Sequence, residues 1–156
     1  MNQDAPDALQ HLLDRDAIAG LIHAYCYHFD RNEPEAVAAL FALDAVVDYG
    51  PETTNLIGVP AIRTAVAAGL ANTFAATSHH VSNIMVRFDG PDTATSVCYL
   101  YAWHRYRSGA PDGELWAQYH HAFVRLPDGW RIARLVLKAA GTKDFHRATM
   151  HPIGRA

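Results

Sequence analysis

Asp30 and a set of histidines are the residues of this chain whose types and spacing could do chemistry. Ile22, Cys26 and Asp30 continue one row at i, i+4, so an apolar helix face ends by turning a carboxylate toward the interior. A charge buried there is costly unless it is paired, so Asp30 needs a partner elsewhere in the chain. The unpaired alternative has Asp30 past the last turn, solvated beside Arg31. Ten histidines are present, with His79-His80 and His120-His121 as adjacent pairs. Histidine titrates near neutrality, and a carboxylate against one ring N–H fixes the tautomer and makes the imidazole more basic. In a dry apolar pocket such a pair moves protons as a general base.

The elements that must position these residues follow from apolar periodicity. Leu9, Leu12, Leu13, Ile18, Leu21, Ile22, Tyr25, Cys26 and Phe29 recur at helical spacing, as one helix or as two meeting near Asp14–Asp16. Asn32-Glu33-Pro34-Glu35 opens a second helix, with Val37, Leu40 and Phe41 on its core side. Ala45 to Tyr49 reads as a short strand ended by Gly50-Pro51, and Leu56-Ile57-Gly58 as its short partner. Pro60 opens a third helix, Ala61 to Leu70. From Ser78 onward the pattern becomes strand, turn, strand, with strands over 79–88, 93–106, 114–126 and 130–139. Helices first and an antiparallel meander afterwards predict an α+β fold, the helices covering one face of a curved sheet. One domain spans 8–140, and the tail 141–156 is either frayed or a lid.

Alternation along the strands sorts the polar residues by face. Cys98, Leu100, Ala102 and His104 share one side, opposite Tyr99, Tyr101 and Trp103. His120 falls with Trp116 and Gln118, and His121 with Tyr119 and Phe123. Strict alternation groups His79 with Val81, Asn83 and Met85, and His80 with Ser82, Ile84, Val86 and Phe88. Each strand therefore turns at least one histidine toward the helices, where Asp30, Tyr25 and Tyr49 can join it. A lone inward histidine is more often a satisfied core residue, but several inward histidines beside a carboxylate and two tyrosines make a polar site. Metal binding is the rival use. Adjacent histidines on a strand point to opposite faces and cannot chelate as a pair without a bulge, and no ligand motif links His79, His104, His120 and Asp30. The expectation is a site with no metal. Nucleophilic catalysis has no G-x-S-x-G elbow to support it, and Cys26 and Cys98 read as core thiols.

Composition narrows the classes further. A chain of 156 residues, half of them hydrophobic, can bury one sizeable core. A formal charge of −3 gives no support for binding nucleic acid or an anionic membrane. No apolar run is long enough to span a bilayer, and Met1-Asn2-Gln3-Asp4 is unlike a signal peptide, so a cytoplasmic location is expected.

A helix ending in Tyr25-x4-Asp30 is followed by Val46-Val47-Asp48-Tyr49, Gly58-Val59-Pro60-Ala61-Ile62, Ser78-His79-His80-Val81-Ser82-Asn83 and Asp128-Gly129-Trp130-Arg131-Ile132. In this order they resemble the SnoaL-like branch of the nuclear transport factor 2-like superfamily over residues 8–140. The resemblance implies a cone-shaped α+β barrel, a strongly bent and mostly antiparallel sheet wrapped over three N-terminal helices around a deep pocket. It implies a homodimer or homotrimer and a site that uses no cofactor, as in scytalone dehydratase, steroid-type dehydratases and polyketide cyclases. It assigns Asp30 as the family's aspartate and His79 as its partner, with His80 as the register alternative. Tyr49 takes the place of a substrate-polarising tyrosine, His104 of a second histidine, and Tyr25 of the tyrosine five positions before the aspartate. Phe29 stands where scytalone dehydratase has a tyrosine, and His120 near its asparagine. With His80, these two are expected to touch substrate.

The function expected is that of a cofactor-independent lyase or isomerase, dehydratase- or cyclase-like, acting on a small hydrophobic oxygenated molecule through the His–Asp base. The alternative is a module, or an accessory subunit, that holds a small ligand in the same pocket without changing it. A His79–Asp30 hydrogen bond at the cavity favours chemistry, and an arginine neutralising Asp30 favours the module. The outward row Tyr99, Tyr101 and Trp103 suggests self-association through the sheet.

Overall fold

The computed structural model describes residues 4–154. Helix α1 (Asp4–Asp30) is continuous, so no break falls near Asp14–Asp16. Its buried face runs through Asp14, Ile18, Ile22, Tyr25 and Cys26. Leu9, Leu12 and Leu13, expected to begin that face, are exposed instead, because 3.6 residues per turn carries them to the opposite side of the helix. Asp14 takes the inward position in their stead. It accepts hydrogen bonds from the Arg125 guanidinium and from Trp130 Nε1, the latter at 3.1 Å.

Helix α2 (Pro34–Ala38) is short and opens on proline, as its sequence predicts. Strand β1 (Phe41–Asp48) starts four residues before the expected Ala45, with Phe41, Ala42, Ala45 and Val47 buried. Strand β2 (Leu56–Ile57) pairs antiparallel with it, Val46 opposite Ile57. Helix α3 (Val59–Ala68) buries Ile62 and Val66 and runs into a π-helical turn at Gly69–Thr73.

The four long strands are β3 (Phe74–Gly90), β4 (Thr93–Tyr106), β5 (Gly113–Leu126) and β6 (Gly129–Lys143). They form the expected antiparallel meander, in the order β2-β1-β6-β5-β4-β3. Strand β1 joins parallel to β6, and the short β7 (His151–Pro152) also pairs parallel with β6. The result is an α+β cone in which the helices cover one face of a bent sheet. Ile18, Ile22, Ile62, Val66, Cys98, Leu100, Leu115 and Leu135 fill the space between them.

One bulge decides which histidine of β3 faces this interior. Asn83 adopts a left-handed φ of 52°, a conformation asparagine tolerates, and the pairing jumps from Ser82 opposite Tyr99 to Met85 opposite Val97. The extra residue reverses the alternation. Val81, before the bulge, and Ile84, Val86 and Phe88, after it, all pack on the core, while Met85 is exposed. His79 therefore shares the inner face with Ile84, Val86 and Phe88, and the strict alternation that grouped those residues with His80 is corrected.

Residues 144–153 after β6 are held against the cone rather than frayed. His146 donates its backbone N–H to the Tyr106 hydroxyl at 3.0 Å. His151 Nε2 reaches both carboxylate oxygens of Asp48, at 3.0 and 3.1 Å, and Ile153 donates its backbone N–H to Ala139. Gly113 makes room for this strap, since a Cβ there would overlap the Tyr106 hydroxyl and the Asp144 carbonyl. No helix among the described residues is long and apolar enough to cross a membrane.

Candidate active site

Asp30 is the last residue of α1, where the helix dipole disfavours negative charge. Three donors from β3 compensate. His79 Nδ1 lies 2.6 Å and Thr77 Oγ1 2.7 Å from one carboxylate oxygen, and the His79 backbone N–H donates to the other at 2.7 Å. Burial alone would raise the pKa of this carboxyl. The His79 ring, its backbone N–H and Thr77 outweigh that and hold the Asp30 pKa below the ordinary carboxylate value. Asp30 is then an ionised acceptor at neutral pH, so the proton between the pair belongs on Nδ1. In the neutral ring, Nε2 carries the free lone pair.

His79 lines a cavity of about 400 Å³ enclosed by α1, α3, the inner face of the sheet and the strap. Asp30 stands behind the imidazole rather than in the cavity wall. Phe29 packs edge-on to the His79 ring, with centroids 5.0 Å apart. Leu56, Val66, Leu100, Leu115 and Leu137 make most of the remaining wall apolar.

Two tyrosine hydroxyls meet at this cavity. Tyr25 and Tyr49 lie 2.6 Å apart, oxygen to oxygen. Burial pushes both phenols up, Tyr25 strongly, so both stay protonated at neutral pH. One of the two protons satisfies the contact between them, and the other is available to a ligand. His104 also lines the cavity, its ring 5.4 Å from that of His79 and nearly perpendicular to it. Burial, with His79 and His146 nearby, pushes its pKa down to about 3, so it is a neutral hydrogen-bonding group in the working range of pH. Its Nδ1 is buried and has no partner among the described residues. An orphaned polar atom of this kind is costly to bury.

The structure thus brings Asp30, His79, Tyr25, Tyr49, His104 and Phe29 together at one cavity. His80 and His120 are not part of it, which corrects the expectation that they touch substrate. His80 lies exposed on the outer face, 2.9 Å from the Ser78 hydroxyl. His120 bonds Gln118 on that same face, while the neighbouring His121 points inward to Ser96. Both outcomes follow from alternation once the bulge in β3 is placed. Among the described residues no three His, Cys, Asp or Glu side chains are arranged to hold a metal ion.

Sequence reasoning missed Thr77, Tyr119 and the strap residues Phe145, His146 and Arg147, all of which contribute to the site. Thr77 lies two residues before His79, on the same face of the strand, and that parity was the one available signal. The strap shows no periodicity from which its course could be read.

A family model described as a SnoaL-like domain matches residues 10–136. An uncharacterized protein of Mycobacterium tuberculosis is 34% identical over 132 residues, which cover 79% of this chain and 83% of that protein. A crystal structure from Novosphingobium aromaticivorans, of a provisionally assigned scytalone dehydratase, superposes with a TM-score of 0.87. It is 36% identical, over 94% of this chain and 97% of that one. A hexachlorocyclohexane dehydrochlorinase from Novosphingobium barchaimii shares the fold, with a TM-score of 0.81 at 16% identity over 95% of this chain and 99% of that one. With a family match over most of the chain and a cone built as that family builds it, the protein belongs to the SnoaL-like family of the nuclear transport factor 2-like superfamily.

Proposed function

We propose that this protein is a cofactor-independent lyase or isomerase that removes a proton next to a carbonyl in a small hydrophobic, oxygenated substrate. The observation that carries the reading is the Asp30–His79 contact at 2.6 Å, with His79 in the wall of an apolar cavity and Asp30 behind it. His79 Nε2 takes the proton as the C–H bond breaks, and the electron pair moves onto the carbonyl oxygen. The spare hydroxyl proton of the Tyr25–Tyr49 pair donates to that developing oxyanion. In a dehydration the enolate collapses, the β-hydroxyl leaves, and the imidazolium returns its proton to make water. In an isomerisation the same proton goes back to a different carbon. The neutral His104 ring is placed to bond the departing or the carbonyl oxygen. Asp30 orients the His79 ring and stabilises the imidazolium formed in the first step.

A pure binding module would need no carboxylate behind the histidine. The fact that Asp30 meets His79 rather than an arginine favours chemistry. The reading is tested by deuterium exchange. A panel of small cyclic ketones and hydroxyketones incubated in D2O with the protein should gain deuterium next to the carbonyl, and Tyr49→Phe should slow that gain by about 10²-fold. A panel in which no ketone exchanges above the buffer rate rejects the general-base assignment.

The same proposal extends to assembly. Met85, Tyr99 and Trp116 are 72%, 51% and 44% exposed on the outer face of the sheet, more apolar surface than a monomer usually leaves in water. The protein is expected to self-associate there as a dimer or trimer. Light scattering at micromolar concentration should give a mass two or three times that of the chain, and Trp116→Glu should lower it. A monomeric mass for the unaltered protein removes this part.

A further inference from the structure

Arg147 ties the strap to Tyr49 with a single hydrogen bond, which leaves most of its donors unused. It lies on the strap between β6 and β7 and lines the same cavity as His79 and Tyr49. Its Nη1 donates to the backbone carbonyl of Tyr49 at 2.6 Å, and its Cζ lies 5.4 Å from the centre of the Tyr49 ring. Among the described residues no carboxylate forms an ion pair with it, and of the arginines without such a partner it is the one in the cavity lining, where Glu52 acts on its charge from further off. Glu52 is the acidic side chain in the cavity lining, and its carboxylate takes the backbone N–H of Thr149. A guanidinium presents five N–H donors in a planar fork, and the protein engages one of them. A half-buried cation with most of its donors unspent, beside two phenol hydroxyls, is the arrangement that recognises a planar oxyanion.

We infer that Arg147 is a specificity-determining residue, and that the natural ligand of this cavity is an apolar ring body carrying one planar anionic oxygen group. The group would sit at the Tyr49 end of the cavity, with the fork of Arg147 on its oxygens and the ring against Phe74 and Leu100. Carboxylates fit this recognition best, because two oxygens can each take a guanidinium N–H, and an acidic phenol offers only one. Arg147 is not the base and touches no reacting proton. It selects and orients the molecule so that an acidic C–H faces His79. In this the inference rests on the general-base reading for the position of the reacting carbon, while the binding preference itself does not depend on turnover. Burial lowers the Arg147 pKa from its ordinary value, and a guanidinium, which proteins do not deprotonate, stays a cation through the working range of pH.

Three probes separate charge from shape. They are 2-naphthoate, its neutral isostere 2-naphthamide, and 2-naphthol, an un-ionised phenol at pH 7.5. Isothermal titration of the full chain should show naphthoate binding at least about tenfold more tightly than either neutral probe, as expected for a charge-assisted bidentate contact. R147Q should remove the preference while leaving naphthamide within about twofold. R147K, which keeps the charge and loses the fork, should fall between. Thermal midpoints of both variants establish that the chain is folded. Equal binding of the three probes, no binding of naphthoate, or a preference that survives R147Q each overturn the inference. H79A keeps the two ideas apart, since it should lose proton exchange and retain the preference for naphthoate. A protein that prefers the anion and exchanges no proton in any form refutes the base and leaves Arg147 standing.

Discussion

Replacing His79 by alanine, or Asp30 by asparagine, should lower proton exchange on any accepted ketone by at least two orders of magnitude. A positioned general base contributes about 10²–10⁴-fold, and His79→Ala removes it outright. Asp30→Asn is the more instructive change. The amide keeps the shape and can still accept from Nδ1, but it cannot offset the positive charge that the imidazole gains during reaction. With its oxygen on Nδ1 and Thr77, its NH2 group faces the His79 backbone N–H, so that two donors oppose each other. Two controls come from the outer face of the sheet. His80→Ala and His120→Ala remove histidines that line no part of the cavity, so both should exchange within about twofold of the unaltered protein. Measured initial rates that fall as far for His80→Ala as for His79→Ala would show that the inward register of β3 has been misplaced.

Removing Asp14 should cost the fold more than any change at the candidate active site. Its carboxylate is 5% exposed and joins three elements, α1 through its own backbone, β5 through Arg125 and β6 through Trp130. Asp14→Ala leaves the indole N–H of Trp130 buried without an acceptor, and leaves Arg125 with the Pro91 carbonyl at 3.2 Å and Asp92 at 3.4 Å, both at its Nε. Losses of this type run to about 2–3 kcal/mol, equivalent to roughly 4–12 °C in thermal midpoint for a chain of this size. The pH dependence has a definite sign. The Arg125 hydrogen bond, with Trp130 and Gln10 adding to it against burial, holds the Asp14 pKa below its ordinary value. Its contribution is therefore fully present above the unfolded carboxylate pKa of about 3.9 and is lost as pH falls through the lower folded value. Midpoints of the protein and of Asp14→Ala, measured from pH 7 down to pH 2.5, should run parallel at first and converge below about pH 4. A gap that stays constant to the lowest pH would show that Asp14 acts by packing and not by charge.

Local pattern by itself determined much of the frame. The four long strands, their hairpin connections and the order of helices before meander were legible, because alternation and turn chemistry act over a few residues. The i, i+4 row that ends in Asp30 is likewise a property of one helix, and the demand for a partner follows from the energetics of a buried charge. Even the inward position of His104 could be read, since β4 alternates without interruption from Thr93 to Tyr106. Where pattern failed, a non-local cause was at work. Strict alternation set His80, not His79, on the side of Ile84, Val86 and Phe88. A bulge at Asn83 reverses it, and no residue type announces that register jump in advance. Leu9, Leu12 and Leu13 looked like the start of the core face of α1, yet the sheet covers the row of Asp14 instead. Asp14 can be buried there only because Arg125 and Trp130, more than a hundred residues away, supply its hydrogen bonds. The strap lay furthest beyond reach. Residues 144–150 carry no period, and their course over the cavity is set by scattered contacts to Tyr49, Glu52 and Tyr106. A segment without its own repeating hydrogen bonds takes its conformation from whatever it packs against, so Arg147 acquires its place beside Tyr49 only in the folded chain.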